Sequence, residues 1–161
     1  MTLSPLNRAL PLALVLLSAG AASAEFRGVG PRFGVGSDPD QFIMGLHLDA
    51  GRFATNVRFQ PDLEVGAGDD QTLVAFTLPA HYLFPVHGDV RPYMGGGLGI
   101  GIEDHDTART GDGDDTDVEM GLVMAAGAQW QMSSGSLFLL ELNLIAGDLH
   151  DFEFVAGFTF R

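Results

Sequence analysis

The sequence has no cysteine and no lysine among its 161 residues. Without Cys there can be no disulfide scaffold and no thiolate metal site. Without Lys, eight arginines alone stand against 21 acids, and the net charge is −13. A chain this acidic repels phosphates, so nucleic acid is excluded as a partner. Long apolar runs are scarce too. Beyond residue 24 nothing approaches the roughly 20 apolar residues of a membrane helix. Helical periodicity is equally hard to find. What is present is apolar bulk: 46% apolar residues, 12 Phe and 22 Gly. Disordered chains are poor in such residues, so this chain folds. Its length fits a single domain. A chain both apolar and acidic must keep the two kinds of residue apart.

The first 24 residues read as an address. Arg8 supplies a positive n-region, Leu10–Leu17 an apolar h-region, and Ala22-Ser23-Ala24 a small-x-small cleavage site before Glu25. This is the pattern of a secretory signal peptide, too short for a transmembrane helix. No Cys follows the site, so a lipoprotein anchor is excluded. The expected organisation is a signal peptide over 1–24 and one domain over 25–161. Zero Cys suits export through an oxidising compartment without disulfides.

Over the rest of the chain apolar and polar residues alternate with period two, the strand signature. In Asp151–Arg161, Phe152, Phe154, Ala156, Phe158 and Phe160 share one face. Asp151, Glu153, Val155, Gly157 and Thr159 share the other. The same split recurs in Arg27–Gly36, Gln41–Ala50, Asn56–Ala67, Gln71–Phe84, Arg91–Glu103, Val118–Gln131 and Leu137–Gly147. Eight segments of about ten residues predict an all-β, eight-stranded antiparallel up-and-down barrel, since closure removes both sheet edges.

Two barrels of opposite polarity fit eight strands. A soluble lipocalin-like barrel holds its apolar side chains inside, whereas a membrane barrel turns them toward lipid. Size decides between them. An eight-stranded lumen is only just wide enough for side chains. Here the bulky face carries nearly all the Phe, with Tyr82 and Trp130, and the other face is rich in Gly. The bulky face must point out, so the barrel is transmembrane. About ten residues at ~3.3 Å each, tilted, span roughly 25 Å, the height of an outer-membrane apolar band. Tyr82, Phe84 and Trp130 then form an aromatic girdle at one lipid interface.

The joins divide the same way. With both chain ends on the periplasmic side, the periplasmic joins are short: Ala50–Phe53, Pro85–Val90 and Ser133–Ser136. The outer joins include the long Asp104–Asp117. They carry Asp38, Asp40, Asp69, Asp70, Asp104, Asp106, Asp112, Asp114, Asp115, Asp117, Asp148 and Asp151, with Arg109 their only base. Arg27, Arg52, Arg91 and Arg161 mark the inner rim.

Two runs sharpen the picture. Asp89–Ile102 (DVRPYMGGGLGIGI) resembles the R-P-Y-x-G-x-G-x-G strand of bacterial outer-membrane β-barrel domain proteins, and Arg58–Gly68 (RFQPDLEVGAG) resembles their P-x-x-G-x-G strand. The chain is similar to the small eight-stranded barrels of the outer-membrane protein A/X type. The resemblance implies residence in the outer membrane of a Gram-negative bacterium and insertion by the barrel-assembly machinery. That machinery commonly reads a terminal Phe; here Phe160 is penultimate, before Arg161.

Candidate chemistry is sparse. In the outer loop, Asp112, Asp114 and Asp117 offer hard oxygen ligands that suit Ca²⁺, but the spacing lacks the Glu that completes an EF-hand. The expectation is diffuse attraction of divalent cations, with no resident cofactor or metal. Inside the barrel, Arg32 and Arg58 face Asp62, Glu64, Glu119, Glu141 and Glu153, and buried arginines demand carboxylate partners. A cross-barrel network that plugs the lumen is expected. His47 and His81 point inward as hydrogen-bonded fillers. Some barrels of this size are lipid A hydrolases with a Ser–His pair. Here Ser37, Ser133, Ser134 and Ser136 all lie in turns, so no catalytic residue is expected. The role implied is structural, or surface interaction through the acidic outer loops. Lipid and lipopolysaccharide are its surroundings and a monomer is the expected state. The alternative is a narrow pore or transport barrel for small or hydrophobic solutes.

Overall fold

The computed structural model describes residues 25–37, 40–68, 71–105, 116–147 and 152–161. These form ten strand segments: β1 (Gly28–Ser37), β2 (Gln41–Asp49), β3 (Arg52–Ala54), β4 (Val57–Phe59), β5 (Asp62–Gly68), β6 (Gln71–Leu83), β7 (Val90–His105), β8 (Thr116–Gln131), β9 (Leu137–Gly147) and β10 (Phe152–Thr159). All pair antiparallel with their neighbours in one sheet. β1 pairs with both β2 and β10, and the β6–β7 ladder completes the ring. The signal peptide expected over 1–24 lies outside the described residues, as do Asp112 and Asp114. Asp117 is described only by its place in the β8 backbone.

Ten segments make eight staves, because two breaks are local. Asp49 is followed by a bulge in which Ala50 and Gly51 both face Phe59: the Ala50 N–H donates to the Phe59 carbonyl (3.1 Å) and the Phe59 N–H to the Gly51 carbonyl (3.0 Å). Gly51 takes φ of 89°, which suits glycine, and its N–H donates to Asp49 Oδ1 at 3.1 Å. β3 therefore continues β2. The hairpin turn falls at Thr55–Asn56, after the Ala54↔Val57 pair, and not at the expected Ala50–Phe53. A glycine followed by a charge reads as a turn, but here it serves a bulge. The second break is at Gln60–Pro61. Pro61 has no N–H to give the ladder, yet β4 and β5 hold one register against β6, from Val57↔Tyr82 to Asp62↔Thr77.

Burial follows the predicted alternation. Phe33, Phe42, Met44, Leu46, Leu63, Met94, Leu98, Leu122, Met124, Leu144 and Phe154 are exposed on the outer surface. In water such a belt would be a very large exposed apolar patch; it is the outer surface of a transmembrane barrel. Toward the end holding Gly28 and Thr159, the rings of Trp130, Phe138 and Phe158 meet at a tilt with centroids 5.5 and 5.0 Å apart, and Tyr82 meets Phe84 edge to face at 5.3 Å.

The lumen departs from expectation in one respect. Its wall is not uniformly small and polar. Leu73, Ala75, Val123 and Ile145 form a buried apolar cluster inside the barrel, toward the end with the long joins. Leu83, Leu137 and Leu139 are buried near the opposite end. A lumen this narrow has no room for bulk water, so apolar contact fills what the polar network does not reach.

Candidate functional site

Arg32 sits on the inward face of β1, between residues that alternate outward. Its side chain is 1% exposed. Each guanidinium nitrogen takes a different carboxylate. Nη1 meets Asp62 Oδ1 at 2.7 Å, Nε meets Glu64 Oε1 at 2.6 Å, and Nη2 meets Glu141 Oε1 at 2.9 Å. Asp62 and Glu64 come from the inward face of β5 and Glu141 from β9, so one side chain ties three staves across the lumen. The planar guanidinium fork is suited to this, being always charged and carrying donors in fixed directions.

The acids have further support. Tyr93 OH donates to Glu141 Oε2 at 2.9 Å, and Thr77 Oγ1 to Asp62 Oδ2 at 3.0 Å. Asn143 Nδ2 donates to Glu141 Oε1 at 3.2 Å and to Glu153 Oε2 at 3.0 Å. Tyr93 reaches Glu141 because β8 presents Gly127 beneath its ring. A Cβ there would meet the Tyr93 Cζ and hydroxyl at 2.7 Å.

Arg58 takes neutral partners where carboxylates are expected. Its Nη1 donates to Gln129 Oε1 at 2.6 Å and its Nη2 to His81 Nδ1 at 3.3 Å, and the guanidinium lies 5.2 Å from the Tyr93 ring centroid. Neutral acceptors and an aromatic face hold this cation. The Arg58 bond also sets the His81 tautomer. An arginine only donates, so Nδ1 is a bare acceptor and the proton is on Nε2. That nitrogen faces Glu141 Oε2 at 3.7 Å.

His47 is fully buried, and its Nε2 bonds Thr159 Oγ1 at 2.7 Å. The pair has the form of a hydroxyl–imidazole contact between a nucleophile and a base. Its Nδ1 has no partner among the described residues, and Thr159 is itself buried. A catalytic base needs an orienting group and an approachable nucleophile. At the rim, Arg161 Nη2 pairs with Asp49 Oδ2 at 2.9 Å.

Of the residues expected in the network, Arg32, Asp62, Glu64, Glu141 and Glu153 are brought together. Glu119 lies farther toward the long-join end and is half-buried. Sequence reasoning missed the roles of Thr77, Gln129, Asn143 and Thr159. Their inward positions in the alternation were the available signal. Among the described residues, no group of three or more His, Asp or Glu side chains is arranged to hold a metal ion.

No protein-family model matches the sequence, and no curated protein matches it. Solved structures do match in fold. Neisserial surface protein A is 17% identical with a TM-score of 0.62, the match covering 82% of this chain and 93% of that one. The N-terminal β-barrel domain of Pseudomonas aeruginosa OprF is 14% identical with a TM-score of 0.61, covering 84% and 100%. The outer membrane enzyme PagL is 13% identical with a TM-score of 0.51, covering 84% and 99%. The fold is that of the eight-stranded outer-membrane β-barrels.

Proposed function

We propose that this chain is an outer-membrane protein of a Gram-negative bacterium, with a structural or surface-interaction role and no catalytic centre. The observation that carries this reading is the three-carboxylate grip on Arg32 at the middle of the lumen. Side chains from β1, β5 and β9 cross the channel there, and a buried charge network of this kind is costly to open. The acidic outer loops are then the surface offered to the exterior. They attract divalent cations among the phosphorylated lipopolysaccharide, and Asp112, Asp114 and Asp117 hold no specific ion. The barrel works as a monomer inserted by the barrel-assembly machinery.

Planar-bilayer recording tests the plug. The expected trace has no steady ion-sized openings. Steady openings that disappear when the Arg32 network is cross-linked shut would instead establish the narrow pore. The name of PagL records that this fold can carry an enzyme. Mass spectrometry of lipid A from cells with and without the protein checks that point, and identical lipid A is expected. Fractionation with heat-modifiable gel migration tests the location, and recovery in the soluble fraction would overturn it.

A further inference from the structure

We propose that the mouth at the end holding Gly28 and Thr159 is a phosphate site, in which Arg52 and Arg91 take a phosphate monoester group between them. The chain as a whole repels phosphates, but its charge is divided end from end. The aspartate-rich joins lie at one mouth, and Arg27, Arg52, Arg91 and Arg161 gather at the other. Two of these four are engaged. Arg27 Nη2 meets Glu25 Oε2 at 2.9 Å, and Arg161 Nη2 meets Asp49 Oδ2 at 2.9 Å. Asp49 is fully committed, since its Oδ1 accepts from the Gly51 N–H. Among the described residues, Arg52 and Arg91 have neither an ion pair nor a side-chain hydrogen bond. Asp89 stands two residues from Arg91 on the exposed turn and makes no ion pair with it.

The register aims both arginines into the mouth. Residues paired across a ladder leave the sheet on the same face. Arg52 is paired with Arg58, and Arg91 with Gln129. Arg58 and Gln129 meet inside the lumen at 2.6 Å, so the two rim arginines flank one cross-barrel bridge. The bulge at Ala50–Gly51 does this for Arg52. On β2 the odd-numbered residues from Gln41 to Asp49 face inward, and an unbroken strand would turn Arg52 toward lipid. The extra residue shifts the phase by one and brings Arg52 inward.

Like charges set close together destabilise a fold. Partial burial, and then Arg91 and Arg27, hold the Arg52 guanidinium below the usual arginine range, and Asp49 offsets this only in part. An arginine keeps its charge even so. The rim thus brings together two cations with no acid between them. A phosphate monoester fits this pair. It carries about two negative charges at neutral pH, and its oxygens accept from two guanidinium forks at once. Deeper in, the Arg58–Gln129 bridge and the buried Leu83 and Leu137 close the lumen, so the anion is held at the mouth. That this mouth faces the periplasm rests on the outer-membrane reading; the site itself does not.

The test uses the refolded barrel in nonionic detergent micelles, with inorganic phosphate as the probe. Heat-modifiable gel migration is checked first, so that a chain forming no barrel is told apart from a barrel that does not bind. Equilibrium dialysis at low ionic strength should show saturable binding of one phosphate per barrel. Arg52→Gln and Arg91→Gln should each weaken it roughly tenfold or more, the size expected for a lost charge-assisted hydrogen bond. Arg27 is already engaged by Glu25, so Arg27→Gln should weaken it less. Arg52→Lys keeps the charge and loses the fork, and should fall between Arg52→Gln and the unaltered barrel. Micelles doped with phosphatidic acid, whose headgroup is a phosphate monoester, identify the source. Loss of phosphate binding there, but not with phosphatidylcholine, assigns the group to a lipid headgroup; retained binding assigns it to free phosphate. Absence of saturable binding to the folded barrel overturns the site. So does equal weakening by Arg27→Gln and Arg52→Gln, which would mark diffuse attraction by the rim as a whole.

Discussion

The lumen contains two layers that are equally buried and opposite in chemistry. In the middle, Arg32 holds Asp62, Glu64 and Glu141 at 2.6–2.9 Å. Toward the long joins, Leu73, Ala75, Val123 and Ile145 pack against one another. The same staves supply both. β9 contributes Glu141 and Asn143 to the first and Ile145 to the second, and β6 contributes Thr77 and then Ala75 and Leu73. The difference teaches what the inside of a narrow barrel demands. It does not demand polarity; it demands that buried charges be paired and that buried apolar groups be packed. A guanidinium does that with three carboxylates and a valine does it with neighbouring methyls. The two solutions fail differently. Loss of one ion partner strands the others, whereas loss of a methyl leaves only a void.

The largest effect is expected from Arg32→Met. It keeps much of the side-chain volume and removes the shared cation, leaving its buried carboxylates unpaired. Breaking a buried ion network from one side costs about 3–5 kcal/mol. Urea titration in lipid vesicles, read by gel migration of the folded barrel, measures it. Adding Asp62→Asn and Glu64→Gln should recover much of the loss by removing the stranded charges. A loss under about 1 kcal/mol in Arg32→Met alone would mean that the acids are compensated without the arginine.

Leu73→Ala makes the opposite kind of damage, in the apolar layer. A void replaces the isobutyl group, at a cost of about 2–4 kcal/mol. No acid-neutralising second substitution should rescue it. Rescue by Asp62→Asn and Glu64→Gln would show that the layers are coupled and dissolve the distinction.

Thr159→Val probes an intermediate case, a neutral polar pair. Its hydroxyl meets His47 Nε2 at 2.7 Å in a fully buried setting. Valine keeps the shape and strands the imidazole nitrogen, at a cost of about 1–2 kcal/mol. The same titration measures it, and an unchanged midpoint would show that His47 finds another partner.

How far the sequence discloses these layers depends on contrast between neighbours. Along Arg58–Glu64 every second residue is charged or amide, so Arg58, Asp62 and Glu64 are readable as inward. On Leu137–Gly147, Glu141 and Asn143 set the phase, and that phase turns Leu137, Leu139 and Ile145 inward. Their apolarity matches the outward face, so their packing role does not stand out. The same holds for Leu73 on β6, whose neighbour Val74 is also apolar. Periodicity reports which way a residue points. It does not report what that residue touches across the lumen, and the partners Gln129 for Arg58 and Thr159 for His47 are separated from them by 71 and 112 residues. Gly51 misleads for another reason. The same left-handed backbone serves a turn or a bulge, and only the pairing of Ala50 and Gly51 with Phe59 distinguishes them.

Ile145→Val is the smallest and most discriminating change. It removes one methylene from the apolar layer, two residues from Asn143 on the same inward face of β9. If that layer is packed as tightly as a soluble core, the loss is about 0.5–1.5 kcal/mol. A value at the upper end means that the void does not collapse. The stave is held by ladders on both sides, from Ile145↔Val123 toward β8 and from Leu144↔Phe152 toward β10. A barrel wall cannot move inward as a helix can shift in a bundle, because the staves are bonded to one another around a closed ring. The expected value is therefore the upper end of the range, and a loss near zero would show that the wall relaxes and the apolar layer is filler, not packing.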